Sequence, residues 1–539
     1  MNLKQVFHAA PLDPGAPDRE GKGMTRLFLV LFVPLTLLLL VDAACSLKWR
    51  MFHDYPTMAY LSFLTTHYHW VPYRDFIDMN MPGNHLVNGV MGRIFGYSDL
   101  GFRLLDLTTL SVLLLITWLW LKRIHWRVAW AAMAGFGFLY LGNGPIIGMQ
   151  REFILLVPVS VSLAVLTAPR ISGALKAFAI GFCFGSAFLI KPHAVMGYPV
   201  LFLFLLLEVR ESEGGRFLAF ARTARLAAWT TAGFLLPVGL TTAWLWKNGA
   251  LAPFLDMARN YWPLYGRTTG GHEVLSRPEW VKYLRQSYLD FNGMRLLFWP
   301  AGLGLIFAFL NSRLNRSQKR TAVLTLLLVF LYSLYVLLAG KFWPYHWILF
   351  MYFLTALGAL CYIPQRSPTR VLLKLLPFGV FFLTFFCQYP FQFWKNMVLQ
   401  VRGHTYYDDK IARGDVIAGF LKKHLRPGDK VQPLDWTGGS HQAMLAAKAE
   451  LATPFLVDSV FYHAVSDPFI QSLRRRFIDS LNASKPRYIV DVLVKDRPRG
   501  LDTTNRFDEL EALVAAQYRP VGYHQNLGFI IFERRAGAP

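Results

Sequence analysis

Just past a first apolar run, carboxylates gather in one polar segment: Asp54 in His53-Asp54-Tyr55, Asp75 in Val71-Pro72-Tyr73-Arg74-Asp75-Phe76, and Asp78 ahead of Asn80-Met81-Pro82-Gly83. Cations gather in three later, short segments: Arg151 in Gln150-Arg151-Glu152, Lys191 in Lys191-Pro192-His193, and Lys341 with His346 in Lys341-Phe342-Trp343-Pro344-Tyr345-His346. A carboxylate can take a proton from an attacking hydroxyl, and cationic donors can stabilise charge growing on a departing group. The two sets together suit transfer of a group onto a hydroxyl. His193 and His346 lack the H-x-x-x-H or histidine–carboxylate spacing of metal ligands. The loop carboxylates could hold a divalent ion, but basic residues could do the same work, so no cofactor is required.

The elements that must position these residues are membrane helices. The 539 residues are 54% hydrophobic and 15% aromatic, too apolar for a string of soluble domains. Apolar runs near 27–47, 102–121, 128–148, 153–168, 177–190, 195–209, 226–246, 295–310, 321–339, 346–363 and 371–387 predict about eleven transmembrane helices. The formal charge of +23 would suggest nucleic acid in a soluble chain, but here alternate connections carry it: Arg19, Lys22 and Arg26, then Lys122/Arg123/Arg127, Arg170/Lys176, Arg210 to Arg225, Arg313 to Arg320, and Arg366/Arg370. That alternation predicts a cytoplasmic N-terminal tail over 1–26, a transmembrane module over 27–390 with long loops 48–101 and 247–294 on the far side, and a soluble domain over 391–539 on that same far side.

The first run resembles a secretory signal, but Asp42 spoils a cleavage site before Cys45, and an uncleaved helix is expected. None of Cys45, Cys183, Cys361 and Cys387 lies in the long polar loops or the soluble domain, so no disulfide framework is expected. In the soluble domain helices near 408–425, 440–450, 467–484 and 507–518 alternate with strands near 430–434, 487–494 and 528–534, an α/β pattern. Gly438-Gly439 after Asp435 reads as a plain turn, and His404, Asp408, Asp409, Asp435, His441 and His463 as scattered surface polarity.

The segment from His53 to Gly83, followed by the Gln-Arg-Glu, Lys-Pro-His and Lys-x-Trp-x-Tyr-His turns, resembles the C-type glycosyltransferase superfamily (GT-C fold), in particular bacterial members related to protein O-mannosyltransferases and to the aminoarabinose transferase of lipid A. The likeness covers roughly 25–390, more loosely the C-terminal domain. It implies a polytopic α-helical enzyme of the bacterial inner membrane with its active site and C-terminal α/β domain in the periplasm. Such an enzyme moves a sugar from a polyprenyl-phosphate-linked donor to a hydroxyl of a glycan, lipid or protein, with inversion. The resemblance makes Asp54 the first choice for the base, with Asp75 and Asp78 beside it, although Asp75 could equally pair with Arg74. Arg151, Lys191, His193, Lys341 and His346 are candidates for the donor phosphate, and Tyr55, Glu152, Trp262 and Tyr345 for substrate contacts. Met81-Pro82-Gly83 lacks the lysine that relatives of the lipid A transferase carry in this loop, which shifts the phosphate duty to Lys191 or Lys341.

The rival from another class is a transporter or flippase of lipid-linked sugars. Transporters place polar groups at mid-membrane on broken helices of related halves. Here the runs are nearly free of mid-span charge and no internal repeat is found; Asp106, near the far-side end of the second run, reads as a helix-interface hydrogen bond.

Overall fold

The computed structural model describes residues 22–210, 216–311, 314–364, 375–380, 409–493 and 497–537. Among them seven helices are long and apolar enough to cross a membrane: 23–48, 99–121, 173–190, 220–247, 277–310, 316–339 and 344–362. The chain is a multi-pass membrane protein. The shorter runs expected as spans are also helical, at Trp126–Gly142, Arg151–Leu166 and Tyr198–Arg210. Most of the run expected at 371–387, the tail 1–21 and the expected domain boundary near 390 lie outside the described residues.

In hydrocarbon every backbone N–H and C=O must find a partner within its own segment, which leaves the helix as the spanning solution for these runs. We number α1 Lys22–Cys45, α2 Tyr55–His67, α3 Pro82–Phe95, α4 Asp99–Leu121, α5 Trp126–Gly142, α6 Arg151–Leu166, α7 Gly173–Ile190, α8 Tyr198–Arg210, α9 Arg216–Lys247, α10 Arg277–Asp290, α11 Phe298–Leu310, α12 Arg316–Ala339 and α13 Ile348–Ala359. Small residues let helices touch where water exclusion gives no driving force. On α7 a Cβ at Gly181 would stand 2.0 Å from the Thr230 carbonyl of α9, and across the same contact one at Gly233 would stand 2.1 Å from the Phe178 carbonyl. Helix α13 is apolar all round and buried on every side, the position that such a helix demands.

Helix ends aim the polar turns. Asn315 and Gln318 form a capping box that starts α12, and Gly340, at φ +65°, stops it in the left-handed conformation and turns the chain into Lys341. A buried cluster fixes another turn: Arg103 of α4 donates to Asp106 and to Ser46 Oγ (3.0 Å from Nε), while Asp106 accepts from the Tyr140 hydroxyl and from the Met149 N–H at 3.0 Å. Met149, at φ +51°, immediately precedes Gln150-Arg151. The hydrogen-bonding role expected of Asp106 is the one observed.

In the C-terminal domain α14 Asp409–His424, α15 Ser440–Ala447, α16 Pro468–Ser484 and α17 Asp508–Gln517 accompany a five-stranded sheet. With β1 Glu273–Val274 in the long loop before α10, the domain's strands are β2 Lys430–Leu434, β3 Glu450–Leu451, β4 Tyr488–Val492, β5 Arg499–Gly500, β6 Tyr518–His524 and β7 Phe529–Arg534. The sheet order is β3-β2-β4-β7-β6, parallel across β3, β2 and β4 and antiparallel beyond. Asp435 accepts from the N–H groups of Gly438 and Ser440, so the Gly438-Gly439 stretch is a turn closed on itself.

The domain docks on the loops that carry the polar turns. Arg50 forms a bidentate pair with Asp415 (2.6 and 2.7 Å), Thr57 Oγ1 lies 2.7 Å from His441 Nδ1, the Tyr60 hydroxyl donates to the Ala449 carbonyl at 2.7 Å, and Ile77 N–H donates to the Pro454 carbonyl at 2.7 Å. Strand β1 pairs in parallel with β5, and Arg499 Nε lies 2.8 Å from Glu273. Loop 48–101, loop 247–294 and the domain therefore share one end of the helices.

Candidate active site

A cavity of about 350 Å³ opens where these parts meet. Its wall takes Asp54 and Thr57 from the start of α2, Asp78 to Met81 from the loop before α3, Arg151 from the first residue of α6, Lys191 to His193 from the turn after α7, Trp262 and Tyr265 from the long loop, Lys341, Trp343 and His346 from the turn after α12, and Trp436 and Val457 from the domain. Helix termini on separate spans thus bring together eight of the residues singled out in the sequence: Asp54, Asp78, Arg151, Lys191, His193, Trp262, Lys341 and His346.

The loop carboxylates have different fates. Asp54 Oδ2 accepts from the Tyr345 hydroxyl at 2.8 Å, and the His53 ring lies 3.1 Å from Oδ1. Burial alone would raise its pKa, but His53, Arg151 and the Tyr345 hydrogen bond together hold the carboxyl well below the usual carboxylate range. These contacts favour the carboxylate form, which can accept a proton. Asp78 also lines the cavity and is also held low, because the His85 ring at 2.7 Å and the Asn80 amide at 2.9 Å outweigh burial. Asp75 departs from its candidacy as a catalytic group: Arg74 takes both its oxygens at 2.8 Å, the Val71 N–H adds a third bond, and it does not line the cavity. Of the two readings the sequence left open, the local Arg–Asp pair is the one formed.

The cations divide in the same way. Arg151 donates to Asn80 Oδ1, and its Nε–H has no hydrogen-bond partner among the described residues. Lys191 donates to Glu152, which is fully buried and also accepts from the Tyr335 hydroxyl at 2.9 Å, with His346 Nε2 at 3.4 Å. Glu152 is thus behind the wall, holding Lys191 and His346, where a substrate contact was expected. Lys341 donates to the Tyr265 carbonyl at 2.9 Å and to both oxygens of Thr268, and lies over the Tyr265 ring. These bonds direct its ammonium at the loop. Burial, reinforced by nearby Lys191, lowers its pKa to about 7.

Tyr55 was expected to contact substrate, but its ring packs 4.6 Å from Phe102 in the core, because the first residue of α2 points back at α4. Tyr345 is buried and does not line the cavity; its hydroxyl donates to Asp54 and its ring packs beside Trp343 and His346. Trp262, expected as a substrate contact, lines the cavity together with Tyr265, while Asp256, Arg259 and Asn260 a few residues earlier are exposed. Besides Arg151 Nε, the ring nitrogens Trp262 Nε1 and His193 Nδ1 on the cavity wall have no hydrogen-bond partner among the described residues. The open N–H groups of Arg151 and Trp262 around this space fit a ligand rich in acceptor oxygens. The described residues hold no group of three or more His, Cys, Asp or Glu placed for a metal ion.

A second cavity, of about 370 Å³, shares Asp54, Trp343 and Trp436 with the first and is otherwise lined by His53, Gly270 to His272, Lys410, Thr437, Arg497 and Arg499. Sequence reasoning missed its basic residues and Trp436. The parallel pairing of β1 with β5 brings Arg497 and Arg499 to the site, and no local pattern announces so short a pairing.

No family model matches the chain, and no curated protein matches it. Among solved structures it is similar to ArnT from Cupriavidus metallidurans. The structure bound to undecaprenyl phosphate matches with a TM-score of 0.57 at 13% identity, over 96% of this chain and 99% of that one. The apo structure matches with a TM-score of 0.56 at 13% identity, over 95% and 99%. The fold is the GT-C fold that the polar turns resembled.

Proposed function

We propose that this chain is a membrane glycosyltransferase that moves a sugar from a polyprenyl-phosphate carrier to a hydroxyl of a glycan, lipid or protein on the periplasmic face of the inner membrane. One observation carries the reading: the Asp54 carboxyl stands in the wall between two cavities, and Arg151 and Lys191 line one of them. The open donors on that wall, and the fold shared with an ArnT that holds undecaprenyl phosphate, support a lipid phosphate as the leaving group.

In this reading the acceptor hydroxyl enters beside Asp54, its oxygen attacks the anomeric carbon, and the carboxylate takes the proton. The bond from that carbon to the phosphate oxygen breaks, and the polyprenyl phosphate leaves with one more negative charge. Arg151, through its open Nε–H, and Lys191, aimed by Glu152, stabilise that charge in a partly desolvated site where they act strongly. Lys341 does not share this task, because the loop carbonyls and Thr268 hold its ammonium; it anchors the loop that carries Tyr265. Direct displacement inverts the anomeric centre.

The test is transfer in proteoliposomes with a panel of polyprenyl-phosphate sugars and hydroxyl acceptors. One donor class should turn over with inversion. Retention would remove Asp54 as a simple base. No turnover with any donor, together with carrier scrambling between leaflets, would point to transport instead.

A further inference from the structure

The second cavity lies against Asp54 on the soluble side, between the loop 270–272, Trp343 and the C-terminal domain. At about 370 Å³ it falls in the usual range of roughly 300–1,000 Å³ for small-ligand sites. Among the described residues, Lys410, Arg497 and Arg499 line it, with the carboxylate Asp54 on its wall and Glu273 beside it. Glu273 is engaged by Arg499 at 2.8 Å, so its charge is already met. Arg497 is partly buried; it lies 4.4 Å over the Tyr462 ring and donates to the Asn505 carbonyl, and it pairs with no carboxylate among the described residues. The β1–β5 pairing fixes the segment that carries it, with Arg499 N–H donating to the His272 carbonyl at 3.0 Å. Trp436 and Trp343 supply aromatic faces of the kind on which a ring can lie, and both are shared with the first cavity.

From this arrangement we infer that the cleft is the acceptor site and that the acceptor is an anionic saccharide, bearing a phosphate or carboxylate beside the hydroxyl that is glycosylated. The inference rests on the transferase reading and names its substrate class. The anion sits on Arg497 and Lys410, the sugar ring lies on Trp436, and the hydroxyl faces Asp54. Selectivity thus comes from the soluble domain, while the transmembrane turns serve the donor.

The experiment uses the full chain in detergent. Binding of glucose 6-phosphate, glucuronic acid and glucose is measured by saturation-transfer NMR, and binding of undecaprenyl phosphate is measured in parallel. At least one anionic sugar should bind about tenfold more tightly than glucose, and Arg497→Gln and Lys410→Gln should each remove most of that preference, with Arg497→Lys keeping it. The stronger of the two anionic ligands identifies the group recognised. Undecaprenyl phosphate affinity in each variant reports that the fold survives. Equal binding of glucose and both anionic sugars, or full anion preference in both glutamine variants, overturns the inference. Loss of undecaprenyl phosphate binding by the wild type, with anion preference intact, instead overturns the donor reading and leaves the cleft's selectivity standing.

Discussion

Arg103 and Asp106 form one buried charge cluster near the domain-bearing end of the helices; Asp54, Arg151, Glu152 and Lys191 form another close to it. In the first, neither Arg103 nor Asp106 has a side-chain atom without a partner, and the guanidinium also lies 4.2 Å over the Trp49 ring. In the second, Arg151 Nε and Glu152 Oε2 lack partners among the described residues, and Asp54, Arg151 and Lys191 face the cavity, with Glu152 behind them. Both clusters would look alike in a list of intramembrane charges. What separates structure from site is the bonding capacity left over: a closed cluster stabilises a turn, an open one waits for a ligand.

The distinction can be broken most easily at the closed cluster. Asp106→Leu removes the carboxylate bonded to Arg103 and should cost about 3–5 kcal/mol of stability, seen as a large fall in melting temperature. An unchanged melting temperature would mean that the cluster is not structural. At the open cluster the effect should move from stability to binding. Arg151→Gln should weaken undecaprenyl phosphate binding by about ten- to a hundredfold, the worth of a charge-assisted hydrogen bond of roughly 1.5–3 kcal/mol, with little change in melting temperature.

The effect that is smallest at each step is the pH dependence of Lys341, which accumulates one pH unit at a time. Its folded pKa of about 7 lies below the ordinary lysine value near 10.4, so between them the unfolded chain binds one more proton and stability rises with pH. Below pH 7 both states bind the proton and the slope vanishes. Melting curves of wild type and Lys341→Met should therefore diverge across pH 7–10 by roughly 1 kcal/mol per pH unit and run parallel below. Parallel curves throughout would mean that the ammonium is not strained in the site.

How much was legible follows the range of each interaction. Membrane helices show as apolar runs, and Asp54 shows as the carboxylate just past the first of them, because both are local features. Most of the domain's helices and strands were equally legible; β6 was not, since it is an edge strand with exposed residues, Pro520 and a register shift. The partition of carboxylates was only partly legible: the adjacent Arg74 offered a local pair for Asp75, but nothing near Asp54 announces Tyr345, nearly three hundred positions away, which reaches it. The same holds for Lys341, whose partners Tyr265 and Thr268 come from a loop far upstream.

The central claim, that Asp54 acts on the acceptor and not on donor binding, is tested most directly by Asp54→Asn, with transfer and undecaprenyl phosphate affinity measured on the same preparation. Transfer should slow by about 10²–10⁴-fold with affinity nearly unchanged, since the amide keeps the shape and the Tyr345 contact but cannot take a proton. Undiminished transfer, or a loss of affinity that matches the loss of rate, would contradict it.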